Sequence, residues 1–269
     1  MKLNKAGMTG FFLCFLAILF GISTNGGIQT VINYLHIPSF ILTVGGALCA
    51  VLATADSFED FWNGLKGIGT AFERKGNHLE EISELILDLS DIARREGLLS
   101  LEEKADSLTH PLLKKGINLV VDGTEPELAR DILETEMEHK EENERKRVKF
   151  WEDFGAYAPA WGMIGTLIGL INMMKTMGTD ATSIGSGMSL ALITTLYGSV
   201  IANWLCIPIA RKLDKNCAAE HLEMELVIEG VLSIQAGENS RIIKEKLKAI
   251  LKEGALERVD NATKEKTAA

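Results

Sequence analysis

Three threonine hydroxyls lie in apolar stretches of the chain and could supply oxygen ligands to a cation. Thr166 lies in YAPAWGMIGTLIGL, residues 157–170, whereas Thr194 and Thr195 lie in ALITTLYG, residues 191–198. Hydroxyl oxygens suit hard cations that have shed part of their water. If both stretches are membrane helices that meet, the three threonines form a candidate ion pathway near the middle of the membrane.

Small residues accompany these threonines at helical spacing. Gly162, Gly165 and Gly169 share a face with the first threonine, and Gly198 shares a face with the other two. Stripes of small residues let membrane helices pack closely. Helix packing alone is therefore an alternative interpretation of both faces.

Two prolines interrupt the same stretches. Pro159 and Pro208 each remove one helical hydrogen bond, which frees the carbonyls of Gly155 and Trp204. Because the two stretches run in opposite directions, both prolines are expected near the cytoplasmic face. The pair is typical either of a hinge or of kinks that membrane helices tolerate.

Four stretches without acidic residues are each close to the roughly 20 residues with which an α-helix crosses a bilayer. They are residues 6–23, 34–55, 155–177 and 184–209. Basic residues concentrate between the second and third stretches and after the fourth. The positive-inside rule therefore places both termini and the large loop in the cytoplasm.

The absence of Asp and Glu from all four stretches matters for transport. Movement of protons or sodium ions through a membrane ordinarily uses a buried carboxylate. Either this chain conducts nothing, or another protein brings the acid.

The sequence predicts an all-α polytopic membrane protein with four transmembrane helices, two of them extended into a cytoplasmic helical domain. One helix is expected to run from residue 125 into the third span, and another to continue beyond the fourth span. The predicted segments are transmembrane helices 1 and 2 (1–55), a cytoplasmic helical domain (56–152), transmembrane helices 3 and 4 (153–209), C-terminal cytoplasmic helices (210–254) and a disordered tail (255–269).

Composition argues against several classes of function. A net charge of −9 is unfavourable for nucleic-acid binding. None of the four cysteines forms a CxxC pair and the five histidines are scattered, so no zinc-type site is expected. Neither a phosphate loop nor a nucleophile–base pair is present, so we predict no enzyme and no bound cofactor.

The segment ARREGLLSLEE presents both signs of charge around a glycine, at an expected corner between two helices. Arg94 and Arg95 precede the glycine and Glu102 follows it. This arrangement is typical of a charged docking surface, and equally of a solvated corner with no partner.

With these motifs the chain resembles the MotA/PomA family of flagellar stator subunits. The resemblance rests on the four-span layout and on ARREGLLSLE, INLVVDG, YAPAWGMIGTLIGL, ALITTLYG followed by Pro208, and VIEGVLSIQAG. It implies a ring of five subunits in the bacterial inner membrane, around a dimer of a single-span MotB/PomB-type partner that carries an essential aspartate. It also implies that the cytoplasmic tips push the rotor protein FliG.

The resemblance also assigns roles to individual residues. Arg94 and Glu102 match the rotor-contacting pair, with Arg95 as the adjacent alternative, and Pro159 and Pro208 match two prolines tied to torque.

In the same comparison, Thr166 and Thr195 match hydroxyl positions on the ion path. Proton-type relatives often carry alanine or another small residue at the first of these positions. The resemblance therefore favours sodium over protons as the transported ion, held transiently at Thr166 and Thr195, with protons as the alternative.

Two other functions remain open. One is an energiser of the cell envelope of the TolQ/ExbB type, although those relatives have three spans and lack the REGLLSLE corner. The other is a membrane scaffold that conducts nothing and only organises partners.

Overall fold

A computed structural model describes residues 5–24, 28–72, 79–176 and 181–252, and within these ranges the regular structure is entirely helical. The all-α prediction is confirmed. In chain order the α-helices are α1 (Lys5–Ser23), α2 (Ile28–Asn33), α3 (Ile37–Phe40), α4 (Gly46–Thr54), α5 (Phe58–Ala71), α6 (Leu79–Glu96), α7 (Leu101–Ser107), α8 (Pro111–Val121), α9 (Pro126–Thr176), α10 (Ala181–Val200), α11 (Ile207–Gln235) and α12 (240–252).

Two π-helical turns join consecutive α-helices without a break in the helical path. Ile41–Gly45 connects α3 to α4, and Ile201–Cys206 connects α10 to α11. The second turn ends two residues before Pro208, and there the Ile207 amide donates to the Ala202 carbonyl, five residues back. A proline supplies no amide hydrogen, so a locally wider turn at this point accommodates the missing bond.

Both long helices that the sequence predicts are present. Helix α9 runs 51 residues, from Pro126 to Thr176, and includes Pro159. Helix α11 continues to Gln235 and buries the expected apolar side, including Leu226 and Val231. The predicted disordered tail, 255–269, lies outside the described residues.

Among the described residues, three helical paths are long and apolar enough to cross a membrane: Ile37–Thr54, Pro126–Lys175 and Ile184–Gln235. The first apolar helix, Gly7–Ser23, is shorter than the length expected of a span. The count of four transmembrane helices therefore stays a prediction.

The chain folds into two compact units. Unit 1 comprises Met1–Arg74 and Glu144–Lys215, and unit 2 comprises Lys75–Asn143 and Asn216–Ala269. The five predicted segments follow different boundaries and stay a prediction.

Each unit has its own apolar core. In unit 2, large aliphatic side chains from α6, α7, α8, α11 and α12 are buried together, among them Ile86, Leu113 and Leu226. In unit 1, the aromatic residues Phe150 and Trp151 of α9 are buried with small residues of other helices.

Candidate functional site

The candidate site is built on the antiparallel pairing of α9 with α10, where glycines let the two backbones touch. A Cβ atom placed on Gly162 would lie 2.9 Å from the Thr194 carbonyl oxygen. One placed on Gly169 would lie 2.6 Å from the Gly187 oxygen and 2.8 Å from the Ala191 nitrogen. Since these neighbours are backbone atoms, no rotamer change could make room for a side chain.

The other two predicted packing glycines lie in the same contact. A Cβ on Gly165 would meet the Thr194 side chain at 2.6 Å, and one on Gly198 would meet the Ala158 carbonyl oxygen at 2.6 Å. Such small-residue contacts bring polar backbone and hydroxyl groups of two membrane helices within bonding distance.

Two of the predicted threonines meet across this contact. The Oγ1 atoms of Thr166 and Thr195 are 2.5 Å apart. Both hydroxyls also lie near one backbone oxygen, the Ala191 carbonyl, at 3.1 Å from Thr166 and 3.2 Å from Thr195. Thr195 is exposed and Thr166 is half-buried, so the two hydroxyls face outward from the helix pair, whereas Ala191 behind them is buried.

Both threonine hydroxyls of the cluster have backbone carbonyl acceptors for their hydrogens, which they can use while a cation is bound. Thr166 can donate to the Gly162 carbonyl at 3.1 Å, and Thr195 can donate to the Ala191 carbonyl. With both hydrogens directed at the backbone, lone pairs on the two threonine oxygens remain free for a hard cation, while the Ala191 carbonyl accepts the Thr195 hydrogen and fixes that hydroxyl. The Ala191 carbonyl was missed at the level of sequence, because a backbone oxygen leaves no trace in residue types.

Thr194 is placed differently from its neighbour. Its side chain is fully buried, and its hydroxyl donates to the carbonyls of Leu190 (2.9 Å) and Ala191 (3.0 Å). The same side chain packs against Gly165. Of the three threonines on the predicted pathway, the structure brings together Thr166 and Thr195 and directs Thr194 into the helix contact.

A further hydroxyl, in the π-helical turn that precedes α4, hydrogen-bonds to α10 next to the threonine pair. Thr43, fully buried in the π-helical turn Ile41–Gly45, donates to the Thr194 carbonyl at 3.5 Å. Tyr197 adds two more hydrogen bonds: its hydroxyl accepts from the His36 amide at 3.1 Å and donates to the Tyr34 carbonyl. These bonds hold the segment before α4 against α10 beside the threonine pair.

The two prolines lie on the same side of the threonine pair. Pro159 contacts Gly198, one helical turn from Thr195. Gly155, whose carbonyl Pro159 leaves without its helical bond, lies against Cys206, two residues before Pro208. The weakened backbone points of α9 and of the α10–α11 path are therefore neighbours in the fold.

The predicted rotor-contacting residues lie in unit 2, away from the threonine pair in sequence. Arg94 and Arg95 occupy the last turn of α6, and Glu102 occupies the first turn of α7. Gly97 between them has φ 89°, a left-handed conformation that favours glycine and lets the chain turn sharply. All three charged side chains are exposed, and none forms an ion pair within the part of the chain that the structure describes.

These charges also suit their own helices. Cations at a helix C-terminus and anions at an N-terminus interact favourably with the helix dipole. Residue positions alone therefore do not separate a docking surface from a stable helix corner.

No group of three or more His, Cys, Asp or Glu residues that could hold a metal ion occurs within the described ranges. The oxygen cluster around Thr166 and Thr195 carries no carboxylate of its own.

Comparison with known proteins finds relatives that are similar to this chain over most of its length. The sequence profile described as the MotA/TolQ/ExbB proton channel family matches residues 104–226. The chain is similar to motility protein A of Treponema phagedenis, with 38% identity over 91% of this chain and 93% of that protein. It is also similar to the uncharacterized protein YtxD of Bacillus subtilis, with 36% identity over 88% of this chain and 87% of that protein.

A solved structure agrees with these sequence matches. The flagellar MotAB stator complex from Bacillus subtilis contains a chain that superposes with a TM-score of 0.80 and 29% identity, covering 91% of this chain and 94% of that one. The comparisons confirm the resemblance, and they support a membrane-embedded stator subunit with ion-channel function rather than an enzyme. The chain thus belongs to the MotA/TolQ/ExbB proton channel family.

Proposed function

We propose that this chain is a flagellar stator subunit that couples sodium influx to rotation, together with a MotB-type partner. The observation that carries the proposal is the oxygen cluster of Thr166, Thr195 and the Ala191 carbonyl, with its 2.5 Å contact between the two hydroxyls. A proton needs only a carboxylate as carrier, whereas a partly dehydrated sodium ion gains from additional oxygen ligands.

The partner supplies what the spans of this chain lack. No Asp or Glu lies in the four apolar stretches, and a cation crossing the membrane there needs a carboxylate. The similar chain from Bacillus subtilis belongs to a MotAB complex. We assign the acid to a single-span MotB/PomB-type subunit, present as a dimer inside a ring of five copies of this chain.

The exposed hydroxyls of the oxygen cluster form the surface to which the partner's carboxylate would transfer its ion. Thr195 is exposed on α10, and the glycines behind it are buried in the contact with α9. A partner helix can therefore approach the hydroxyls closely. The chain would lie in the bacterial inner membrane with both termini in the cytoplasm.

Torque would leave the membrane through α9 and α11. Pro159 and Pro208 weaken the helical backbone next to the oxygen cluster, so they form a hinge that ion passage can bend. In unit 2, Arg94, Arg95 and Glu102 would press on the rotor protein FliG through charge pairs.

A motility assay with shape-matched variants tests the choice of ion. Thr166→Val keeps the side-chain shape but removes the hydroxyl, whereas Thr166→Ser keeps the hydroxyl. We expect wild-type and serine-variant cells to stop swimming when sodium is replaced by potassium at constant proton-motive force. The valine variant should lose most of its speed in sodium. Unchanged speed in potassium would assign the motor to protons instead.

The envelope energiser of the TolQ/ExbB type falls within the same family description. The similarity to motility protein A over 91% of the chain favours the stator. Deletion of this gene should therefore abolish swimming without changing envelope integrity.

A further inference from the structure

Helix α5 has two different apolar surfaces, and the described part of the chain covers only one of them. Gly64, Gly67 and Ala71 recur at helical spacing and are buried. A Cβ on Gly64 would lie 2.5 Å from the Phe150 ring, and the Gly64 carbonyl accepts a hydrogen bond of 3.0 Å from the Trp151 indole. This glycine face holds α5 firmly against α9.

The opposite side of α5 carries large apolar residues that none of the described residues covers. Phe58 is 73% exposed and Trp62 is 56% exposed, and the two lie one helical turn apart. Apart from an edge contact between the rings of Trp62 and Phe61, no ring contact involves them in the described structure. Leaving two large aromatic side chains in water is unfavourable, so this face is expected to have an occupant.

A polar edge separates the exposed aromatic face from the glycine face. Lys66 and Glu59 are exposed on this edge. The helix therefore presents one side to protein, one side rich in aromatic residues, and one charged side. This threefold division is typical of helices that lie along a membrane surface, with aromatic residues at the headgroup level and charges in water.

Both ends of α5 are tied to apolar helices. Its N-terminus follows the span Ile37–Thr54 after a break at Ala55, where ψ is 140°, and Ser57 caps it by accepting from the Asp60 amide. At its C-terminal end, the Phe72 ring packs edge-on against Phe11 of α1, with centroids 5.6 Å apart. The exposed aromatic face is thus continuous with the membrane-facing surface.

We propose that α5 lies in the membrane–water interface on the cytoplasmic side, with Phe58 and Trp62 inserted among the lipid headgroups and upper acyl chains. The occupant of the aromatic face is the lipid bilayer. Lipid contact would hold the glycine face, and with it Phe150 and Trp151 of α9, at a fixed depth. The inference goes beyond the proposed function and does not depend on which ion is transported.

Spin labels on the full-length protein in phosphatidylcholine vesicles test this placement. The exposed Cys14 and Cys49 are replaced by alanine, whereas Cys206 and Cys217 are buried and remain. Single labels are then introduced by Trp62→Cys and, as the matched control on the polar edge of the same helix, by Lys66→Cys. Collision rates with oxygen, which partitions into lipid, are compared with those of a water-soluble nickel chelate.

The label at position 62 should collide with oxygen several-fold more often, relative to the chelate, than the label at position 66. High chelate access at both positions would mean that the face is in water and would overturn the proposal. An immobilised label at position 62 with little access to either reagent and with dipolar broadening would mean that a second copy of the chain covers the face, which would also overturn it.

A second measurement avoids the cysteine variants. Tryptophan fluorescence of the wild type and of Trp62→Phe is compared in vesicles whose lipids carry bromine near the top of the acyl chain. The wild type should show the greater quenching, because Trp62 contributes fluorescence that shallow bromine reaches. Equal quenching in both proteins would contradict lipid contact.

Discussion

Helices pack against one another in two different ways in this protein. Glycines hold α9 against α10, whereas large aliphatic side chains fill the core of unit 2. In the α9–α10 contact, glycines place backbone against backbone, as at Gly169 and Gly187. In unit 2, branched aliphatic side chains fill the space between helices, and Leu113 and Leu226 have no exposed surface. Glycines also occur there, but Gly116 faces the side chain of Val231 rather than a backbone.

The difference follows from the solvent around each region. Burying aliphatic side chains from water stabilises unit 2 directly. Between membrane helices that term is absent, since lipid is as apolar as the side chains, so close approach and interhelical hydrogen bonds take its place. The close approach also has a functional consequence, because it is what brings the Thr166 and Thr195 hydroxyls together.

The largest effect is expected from a side chain placed between two backbones. Gly169→Val would put methyl groups where the Gly187 oxygen and the Ala191 nitrogen already lie. We expect the variant to separate α9 from α10 and to lose stator assembly and motility completely. Gly185→Ala is the control, since a Cβ at that position of α10 meets nothing within 4 Å. A motile Gly169→Val strain with normal protein levels would show that the close contact is dispensable.

The next effect concerns the aliphatic core. Leu226→Ala removes a fully buried side chain of unit 2, for which the usual cost is about 2–5 kcal/mol. Hydrogen exchange on the full-length protein should show that the amides of α6, α8 and α11 open more readily. Protection in the α9–α10 contact should stay unchanged if the two regions are held by separate interactions.

A smaller effect is expected where a glycine faces a side chain. In Gly116→Ala the new methyl lies 2.8 Å and 3.1 Å from the two methyl groups of the buried Val231, so that side chain must shift. Crowding of this kind costs about 1–3 kcal/mol, and the gain in helix propensity of up to about 1 kcal/mol offsets part of it. The net loss of protection in unit 2 should therefore be clearly less than for Leu226→Ala. An equal or greater loss would mean that the packed side chains around Gly116 cannot adjust to one added methyl group.

The smallest effect concerns a surface charge cluster of unit 2. Lys246 donates to Glu229 at 3.0 Å and to Glu238 at 2.9 Å. The hydrogen bond from Lys246 lowers the pKa of Glu238, and its bonds to Glu238 and Glu229 raise the pKa of Lys246. Because the side chains are partly exposed, Lys246→Met should weaken the protection of α12 by less than about 1 kcal/mol.

The loss of α12 protection in Lys246→Met should depend on pH, and the two pKa shifts give the direction of that dependence. The lowered pKa of Glu238 means that its stabilisation is present above the unfolded pKa and is lost as pH falls through the folded value. The raised pKa of Lys246 means that its stabilisation is lost only as pH rises through the folded value, on the alkaline side. The protection of α12 in the wild type should therefore exceed that in Lys246→Met at neutral pH and equal it in strong acid. Lys248→Met, which removes only an exposed pair with Glu245, is the control.

Much of the fold could be predicted from the sequence, because helical periodicity and long apolar stretches are local signals. The continuous path of α9 through Pro159 and the buried side of α11 followed from spacing alone. The π-helical turn Ile201–Cys206 could not be predicted, since its cause, the missing amide of Pro208, is compatible with several local backbone adjustments.

The candidate site was only partly visible in the sequence. Thr166, Thr194 and Thr195 stood out as hydroxyls in apolar surroundings, but residue types and spacing did not distinguish Thr195 from Thr194, and only the family resemblance selected Thr195. The distinction depends on which side of α10 faces α9, and that is fixed by the close contacts at Gly162 and Gly165. The roles of Arg94, Arg95, Glu102 and the two prolines stay predictions.

Sodium uptake into vesicles tests the central claim most directly: this chain provides oxygen ligands, and a second chain provides the carboxylate that carries the ion. The purified chain alone should show no uptake above protein-free vesicles, and co-reconstitution with its MotB-type partner should produce uptake that Thr166→Val reduces strongly. Selective sodium uptake by the chain alone would contradict the account.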